Sequence, residues 1–141
     1  LNIAFLLDWK IHMHCFGSGL DMAKQLLEHW TNIYFGFTGA ITFSSSRGTE
    51  KDDVIRLIPL NRLLLETDGP LYVNPPSSLI APLDNNFFFP VFSMAPVPLR
   101  GKVAQPGMVA LVARKLAELR GEPLEAIIEA TRQNTRDMYG I

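Results

Sequence analysis

Apolar residues in this chain fall into short runs set apart by polar and glycine punctuation, and the run Leu63-Leu64-Leu65-Glu66-Thr67-Asp68-Gly69-Pro70 is the most telling of them. A continuous aliphatic stretch fits a parallel strand covered on both faces, and in parallel sheets chemistry collects at the carboxyl ends of the strands. Strand character over 62–66 therefore delivers Glu66 and Asp68 to a rim. Upstream, 10–16 alternates in part, with Ile11, Met13 and Cys15 set against His12 and His14, which predicts a strand closed by Gly17-Ser18-Gly19. Residues 33–37 are β-branched and aromatic, bounded by Thr38-Gly39, and predict another. Between the strands, 20–30 carries Leu20, Ala23, Leu26 and Leu27 on one helical face, and 50–58 reads as a short helix after a polar loop. The order strand, helix, strand, helix, strand indicates parallel βα units and an α/β fold.

The pattern then lapses. Residues 71–105 are rich in Pro and aromatic side chains, including Phe87-Phe88-Phe89-Pro90, and show no period, which predicts a long loop. Pro106 suits a first helical turn, and Met108, Leu111, Val112, Leu116 and Leu119 form a stripe that stops at Gly121, so a helix is expected over 106–120. Pro123 opens the last helix, 123–139, with Leu124, Ile127, Ile128 and Met138 on its apolar face. Leu1 to Leu7 is too short to classify. There are no repeats and no low-complexity tracts, so residues 1–141 read as one domain.

Composition sets outer bounds on function. With 141 residues, 48% hydrophobic, and a net charge of -1, the chain suits a globular domain and not a large basic surface for nucleic acid. A metal ion could supply the missing positive charge at a phosphate. The single cysteine, Cys15, excludes an internal disulfide framework and leans toward a reducing compartment, so an intracellular setting, cytoplasmic or nuclear, is expected. No stretch is long enough to span a bilayer, and no membrane partner is expected. The first residue is Leu rather than Met, which suggests an excerpt of a longer chain.

His12 and His14 lie two apart on a predicted strand, so their side chains share a face about 6.6 Å apart along the chain. That spacing suits two imidazoles on a metal, or one imidazole joined by a carboxylate from a neighbouring strand; hydrogen-bonded core histidines are the plainer alternative. Asp68 could be a turn former that bonds nearby backbone, or a site carboxylate backed by Glu66 two residues earlier on the same face. Glu66 could equally be the partner of an Arg. Cys15 points away from His14 if the strand is regular, and reads as a small core residue before it reads as a nucleophile. The aromatic loop suits packing more than stacking on bases; Arg100 and Lys102, which follow it, could meet phosphate. Asn134 on the apolar side of the last helix is expected to satisfy a local backbone group.

Taken together, Ile11-His12-Met13-His14-Cys15-Phe16-Gly17-Ser18, Phe35-Gly36-Phe37-Thr38-Gly39-Ala40-Ile41-Thr42-Phe43 and Leu64-Leu65-Glu66-Thr67-Asp68-Gly69-Pro70 resemble the TatD family of metal-dependent deoxyribonucleases. The tail Thr131-Arg132-Gln133-Asn134-Thr135-Arg136, with Met138-Tyr139-Gly140, is similar to that family's closing helix. The His12-Met13-His14-Cys15-Phe16 combination is most similar to the divergent eukaryotic branch. The resemblance implies a TIM (β/α)8 barrel hydrolase of which this chain is the C-terminal part, about three βα units plus terminal helices. It also implies one or two divalent ions (Mg2+, Mn2+ or Zn2+) at the C-terminal rim, and DNA or another phosphodiester as substrate. By the same resemblance His14 and Asp68 are metal ligands, Asp68 also accepts a proton from the nucleophilic water, and Glu66 and His12 stand behind them as supporting residues. No substrate-binding residue follows from it.

Three departures from the family pattern stand out. Gly69 replaces a common Ala, and Val103-Ala104-Gln105 stands where relatives carry Arg-Asn-Glu before Pro. The first-strand His-x-His, a Glu and the fifth-strand His have no counterpart, although a full barrel needs about 250 residues. The fragment alone is therefore expected to be inactive, with its missing ligands in an N-terminal half. The rival expectation is a natural half-barrel without catalysis that serves as an interaction or dimerisation module and self-associates through its open strand edges. A third keeps the hydrolase chemistry and changes the substrate to a small amide or ester.

Overall fold

A computed structural model describes residues 9–43, 49–69 and 105–141. Three short strands, β1 (Ile11–Met13), β2 (Ile33–Phe37) and β3 (Leu63–Leu65), form a sheet in sequence order with both pairings parallel. The crossovers carry helices α1 (Leu20–His29) and α2 (Glu50–Leu57), as parallel pairing requires. Two further helices follow, α3 (Val109–Arg120) and α4 (Leu124–Tyr139). The α/β expectation with parallel βα units holds for the described residues. The expected loop 71–105, with its aromatic run, Arg100 and Lys102, lies outside them apart from Gln105.

The strand register divides the side chains between two faces. Ile11 pairs with Ile33, Met13 with Phe35, Phe35 with Leu63 and Phe37 with Leu65. These residues point at the helices, where Phe35, Ile33 and Leu63 join Ala23, Val54, Ile55, Val112, Leu116 and Ile127 in the main apolar cluster. Full burial of each large aliphatic or aromatic side chain there contributes about 1.5–3 kcal/mol. Phe16 extends the cluster with an edge-on contact to Phe35, ring centroids 4.9 Å apart. The intervening positions His12, Tyr34, Gly36 and Leu64 face the other way, and the Arg62 guanidinium lies 5.2 Å over the Tyr34 ring. It is this second face that leads to the polar rim.

Several predicted boundaries shift for visible reasons. The strand expected over 10–16 stops at Met13, because Cys15 adopts a left-handed backbone with φ 47° that no regular strand tolerates. Arg62 belongs to a 3-10 turn, Leu60–Arg62, so the third strand spans Leu63–Leu65 rather than 62–66. Another 3-10 turn, Pro106–Met108, precedes α3, and Pro123 is the N-cap of α4 rather than its first residue. A 3-10 segment at Gly39–Phe43, unforeseen in the pattern, follows β2. Helix ends are tied by distant groups. Glu50 accepts a bond from the Leu20 amide at the start of α1 (2.9 Å), and Arg120 donates to the carbonyls of Ile55 and Ile58 at the end of α2 (2.6 and 2.7 Å). Ile128, expected on the packed face of the last helix, is 45% exposed.

Asn134 is buried, but its partners are not local. Its Nδ2 donates to the carbonyls of Leu60 (2.9 Å) and Leu63 (2.8 Å), which pins α4 to the entry of β3. The expectation of a nearby backbone partner fails because the side-chain amide reaches across to the 3-10 turn before β3, where Leu60 O already accepts from the Leu63 amide and takes Asn134 as a second donor.

Candidate metal centre

Backbone pairing carries the site residues past the ends of the strands. The Glu66 amide donates to Phe37 O (2.9 Å), one residue beyond β3, and the Phe16 amide donates to Gly36 O (2.8 Å), three beyond β1. Between those anchors the chain turns sharply, and Cys15 and Asp68 (φ 49°) are the two non-glycine residues with left-handed backbone among the described ones. Such conformations cost about 1–3 kcal/mol each and concentrate at functional sites. Asp tolerates this region better than Cys does, since its short polar side chain bonds locally.

The result is a cluster. His14 Nε2 lies 3.1 Å from Asp68 Oδ1 and 3.5 Å from Glu66 Oε2, and one donor atom from each of the three residues falls within 4.8 Å of the others. The carboxylate side chains are 6% and 9% exposed for Asp68 and Glu66, whereas His14 is 66% exposed, so the cluster opens to solvent on the imidazole side. Glu66 is met at both oxygens: Oε2 accepts from the Cys15 amide (3.0 Å), and Oε1 lies in close contact with His12 Nε2. That contact is close but not aligned as a hydrogen bond. Its two atoms have no other partner, and they are the buried side-chain nitrogen and oxygen left unsatisfied among the described residues. Beneath them Gly36 supplies the space, because a Cβ there would collide with the Glu66 carboxylate and lie 2.5 Å from His12 Nε2.

The four residues expected at the site therefore come together. His14 and Asp68 converge as anticipated, and His12 sits one layer below. Glu66, expected only as a supporting residue, lies in the same cluster, with its Oε2 3.5 Å from His14 Nε2. Cys15 departs from its expected direction, because the left-handed turn breaks strand alternation and sets its thiol 3.6 Å from Thr38 Oγ1. Partial burial pushes the thiol above its ordinary pKa, the Thr38 hydrogen bond opposes this, and the Asp68 charge adds to the rise. Two participants were missed. Thr38, buried at the carboxyl end of β2, could have been suspected from its place beside Gly39. Tyr139, whose hydroxyl lies 2.6 Å from His12 Nδ1, stood in the sequence only as part of the closing-helix resemblance, with nothing to pair it with a ring 127 positions away.

One imidazole nitrogen and two carboxylates, clustered and partly desolvated, form a donor set suited to a divalent cation. Residues 3–140 match the family described as TatD related DNase. The chain belongs to the TatD family. It is 30% identical over 136 residues to the protein named 3′-5′ RNA nuclease TATDN2 from Homo sapiens, covering 95% of this chain and 15% of that one. It is 33% identical over 129 residues to the uncharacterized metal-dependent hydrolase YcfH of Escherichia coli (strain K12), covering 92% and 39%. The crystal structure of YJJV, a TatD homolog from Escherichia coli k12, superposes with TM-score 0.62 at 28% identity, covering 92% of this chain and 40% of that chain. This TatD chain thus spans well under half the length of the relatives it matches. Among its described residues no helix is long and apolar enough to cross a membrane.

Proposed function

We propose that this TatD chain contributes one wall of a divalent-metal phosphodiesterase centre that cleaves DNA, the rest of the ligand set lying in sequence beyond these 141 residues and completing a TIM barrel. The observation that carries the reading is the convergence of His14, Glu66 and Asp68 just past the carboxyl ends of the outer two parallel strands. His14 and Asp68 hold the ion, and Glu66, fixed by the Cys15 amide and His12, supplies a second negative charge that orients the His14 imidazole. When bound, a divalent ion lowers the pKa of a coordinated water and offsets charge on phosphoryl oxygens. Asp68 accepts the proton from the attacking water, and the exposed edge of His14 leaves the entry side open to a phosphate. DNA is the proposed substrate on the family's description, with RNA as its competitor because the human relative is named for it.

The alternative is a catalytically silent half-barrel that associates with itself or another chain. It is favoured by the chain's covering 39% of the length of its metal-dependent hydrolase relative YcfH. Turnover by the natural full-length product on end-labelled single-stranded DNA and RNA, with Mg2+, Mn2+ or Zn2+, separates the two. Metal-dependent cleavage that is faster on DNA, and is lost in His14→Ala and Asp68→Asn at unchanged folding, supports the proposal. Faster cleavage of RNA overturns the substrate. A stable, metal-loaded product that cleaves neither nucleic acid overturns the reading in favour of the module.

A further inference from the structure

We propose that Tyr139, through His12, is a positioning residue for the Glu66 carboxylate, so that the last turn of α4 sets the geometry of the metal centre from outside it. This rests on the metal-centre reading only for its consequence, not for the linkage itself. Tyr139 Oη lies 2.6 Å from His12 Nδ1, with the rings edge-on at 84°. The other ring nitrogen, Nε2, faces Glu66 Oε1, and neither of these two buried atoms has another partner. Glu66 reaches the cluster with its remaining oxygen, 3.5 Å from His14 Nε2.

Donor and acceptor rules give the linkage a direction. An ionised carboxylate only accepts, so in the neutral ring Nε2 must carry the proton toward Glu66. Nδ1 is then an acceptor, and the Tyr139 hydroxyl must donate to it. A phenol at that place selects the one tautomer able to serve Glu66, in the way that outer partners of metal-site side chains fix their orientation. The helix end is itself held in place. Lys10, at the entry to β1, donates to the Asp137 carbonyl, and α4 stops immediately after Tyr139 at Gly140, whose left-handed backbone (φ 72°) closes the last turn. Tyr139 is 56% exposed, so its hydroxyl is aimed by this anchoring rather than by burial of its ring.

The test begins without metal. In the 15N spectrum of His12, the wild-type protein is expected to show a protonated Nε2 and a hydrogen-bonded, unprotonated Nδ1. Tyr139→Phe is expected to shift the Nδ1 resonance, mix the tautomers and move the Glu66 13Cδ resonance. Mn2+ titration of the same variants reads the consequence: affinity is expected to fall about 3–10-fold in Tyr139→Phe and about 10–100-fold in His12→Gln, the range for loss of an outer-shell partner. The double variant should bind no more weakly than His12→Gln alone, because Tyr139 acts only through His12. Unchanged His12 and Glu66 resonances in Tyr139→Phe, or additive losses in the double variant, would overturn the proposal. If the wild type binds no Mn2+, the metal-centre reading fails, while the metal-free spectra still decide the Tyr139–His12–Glu66 linkage.

Discussion

Gly36→Ala offers a sharp test of how the Glu66 carboxylate is held, because it changes no proposed ligand. The added Cβ would lie 2.5 Å from His12 Nε2 and nearer still to the Glu66 carboxylate. The strand has little freedom to yield: Gly36 O accepts from Phe16, and Gly36 is in register with Leu64. The carboxylate must therefore swing away and surrender its bond from the Cys15 amide, along with its contact to His12. A hydrogen bond to a charged group contributes about 1.5–3 kcal/mol, while replacing glycine inside a strand returns about 0.5–1 kcal/mol. The net expectation is a loss of about 1–2 kcal/mol, or a thermal midpoint lower by about 3–8 °C for a chain of this size. Mn2+ affinity should fall about 10–100-fold with it. Thermal unfolding and Mn2+ titration of Gly36→Ala, alone and in a Glu66→Ala background, form a cycle that isolates the clash. If Gly36→Ala destabilises both backgrounds equally, or leaves wild-type stability and affinity, the proposed fixing of Glu66 is wrong.

Asn134→Ala should destabilise by about 1–3 kcal/mol, since it removes the side-chain donor to the Leu63 carbonyl and the second donor to the Leu60 carbonyl, which keeps its bond from the Leu63 amide; a shift under about 0.5 kcal/mol in urea unfolding would show that α4 is not pinned there. In metal-free protein the Cys15 thiol should titrate above 9.0, its ordinary value, followed by thiolate absorbance, and should move back down in Asp68→Asn. The sign for stability follows: below pH 9.0 folded and unfolded thiols are both protonated, and the contribution of the neutral folded thiol is lost as pH rises from 9.0 through the folded value. Titration at or below 9.0 would refute the desolvated setting.

How much was legible depended on whether the signal was local. β2 was read at its true limits because Ile33-Tyr34-Phe35-Gly36-Phe37 is bounded by a turn pair, and its neighbours supply the flanking strands. The apolar stripe of α3 was likewise visible in Val112, Leu116 and Leu119, which are buried as expected. Alternation failed at Cys15, since Ile11, Met13 and Cys15 continue a period of two while the backbone has already left the strand. Side-chain type does not reveal a left-handed φ unless glycine occupies the position. Long-range pairs such as Asn134 with Leu60, and Tyr139 with His12, were illegible for a different reason: helix periodicity identifies the inward face but not which carbonyl or ring it meets.

The same left-handed turn explains why the site holds together. A regular strand through Cys15 would direct its amide along the sheet ladder toward β2; turned as it is, the amide points instead at Glu66 Oε2, and ladder pairing resumes at Phe16. Asp68 makes the matching departure after β3 and brings its carboxylate to His14 rather than continuing past it. Two strained residues on opposite outer strands thus aim one amide and one carboxylate at the same imidazole-carboxylate pair, with Gly36 on the middle strand leaving the space between them. Strain of about 1–3 kcal/mol at each turn is of the same size as one charge-assisted hydrogen bond, so the bond from the Cys15 amide is sufficient to hold its turn in place. Within this cluster Asp68 meets the mostly exposed His14 and the Cys15 thiol, a weak donor, rather than a backbone amide. The Asp68 turn is therefore the weaker of the two, and it is the one that a cation bound by its carboxylate would steady most.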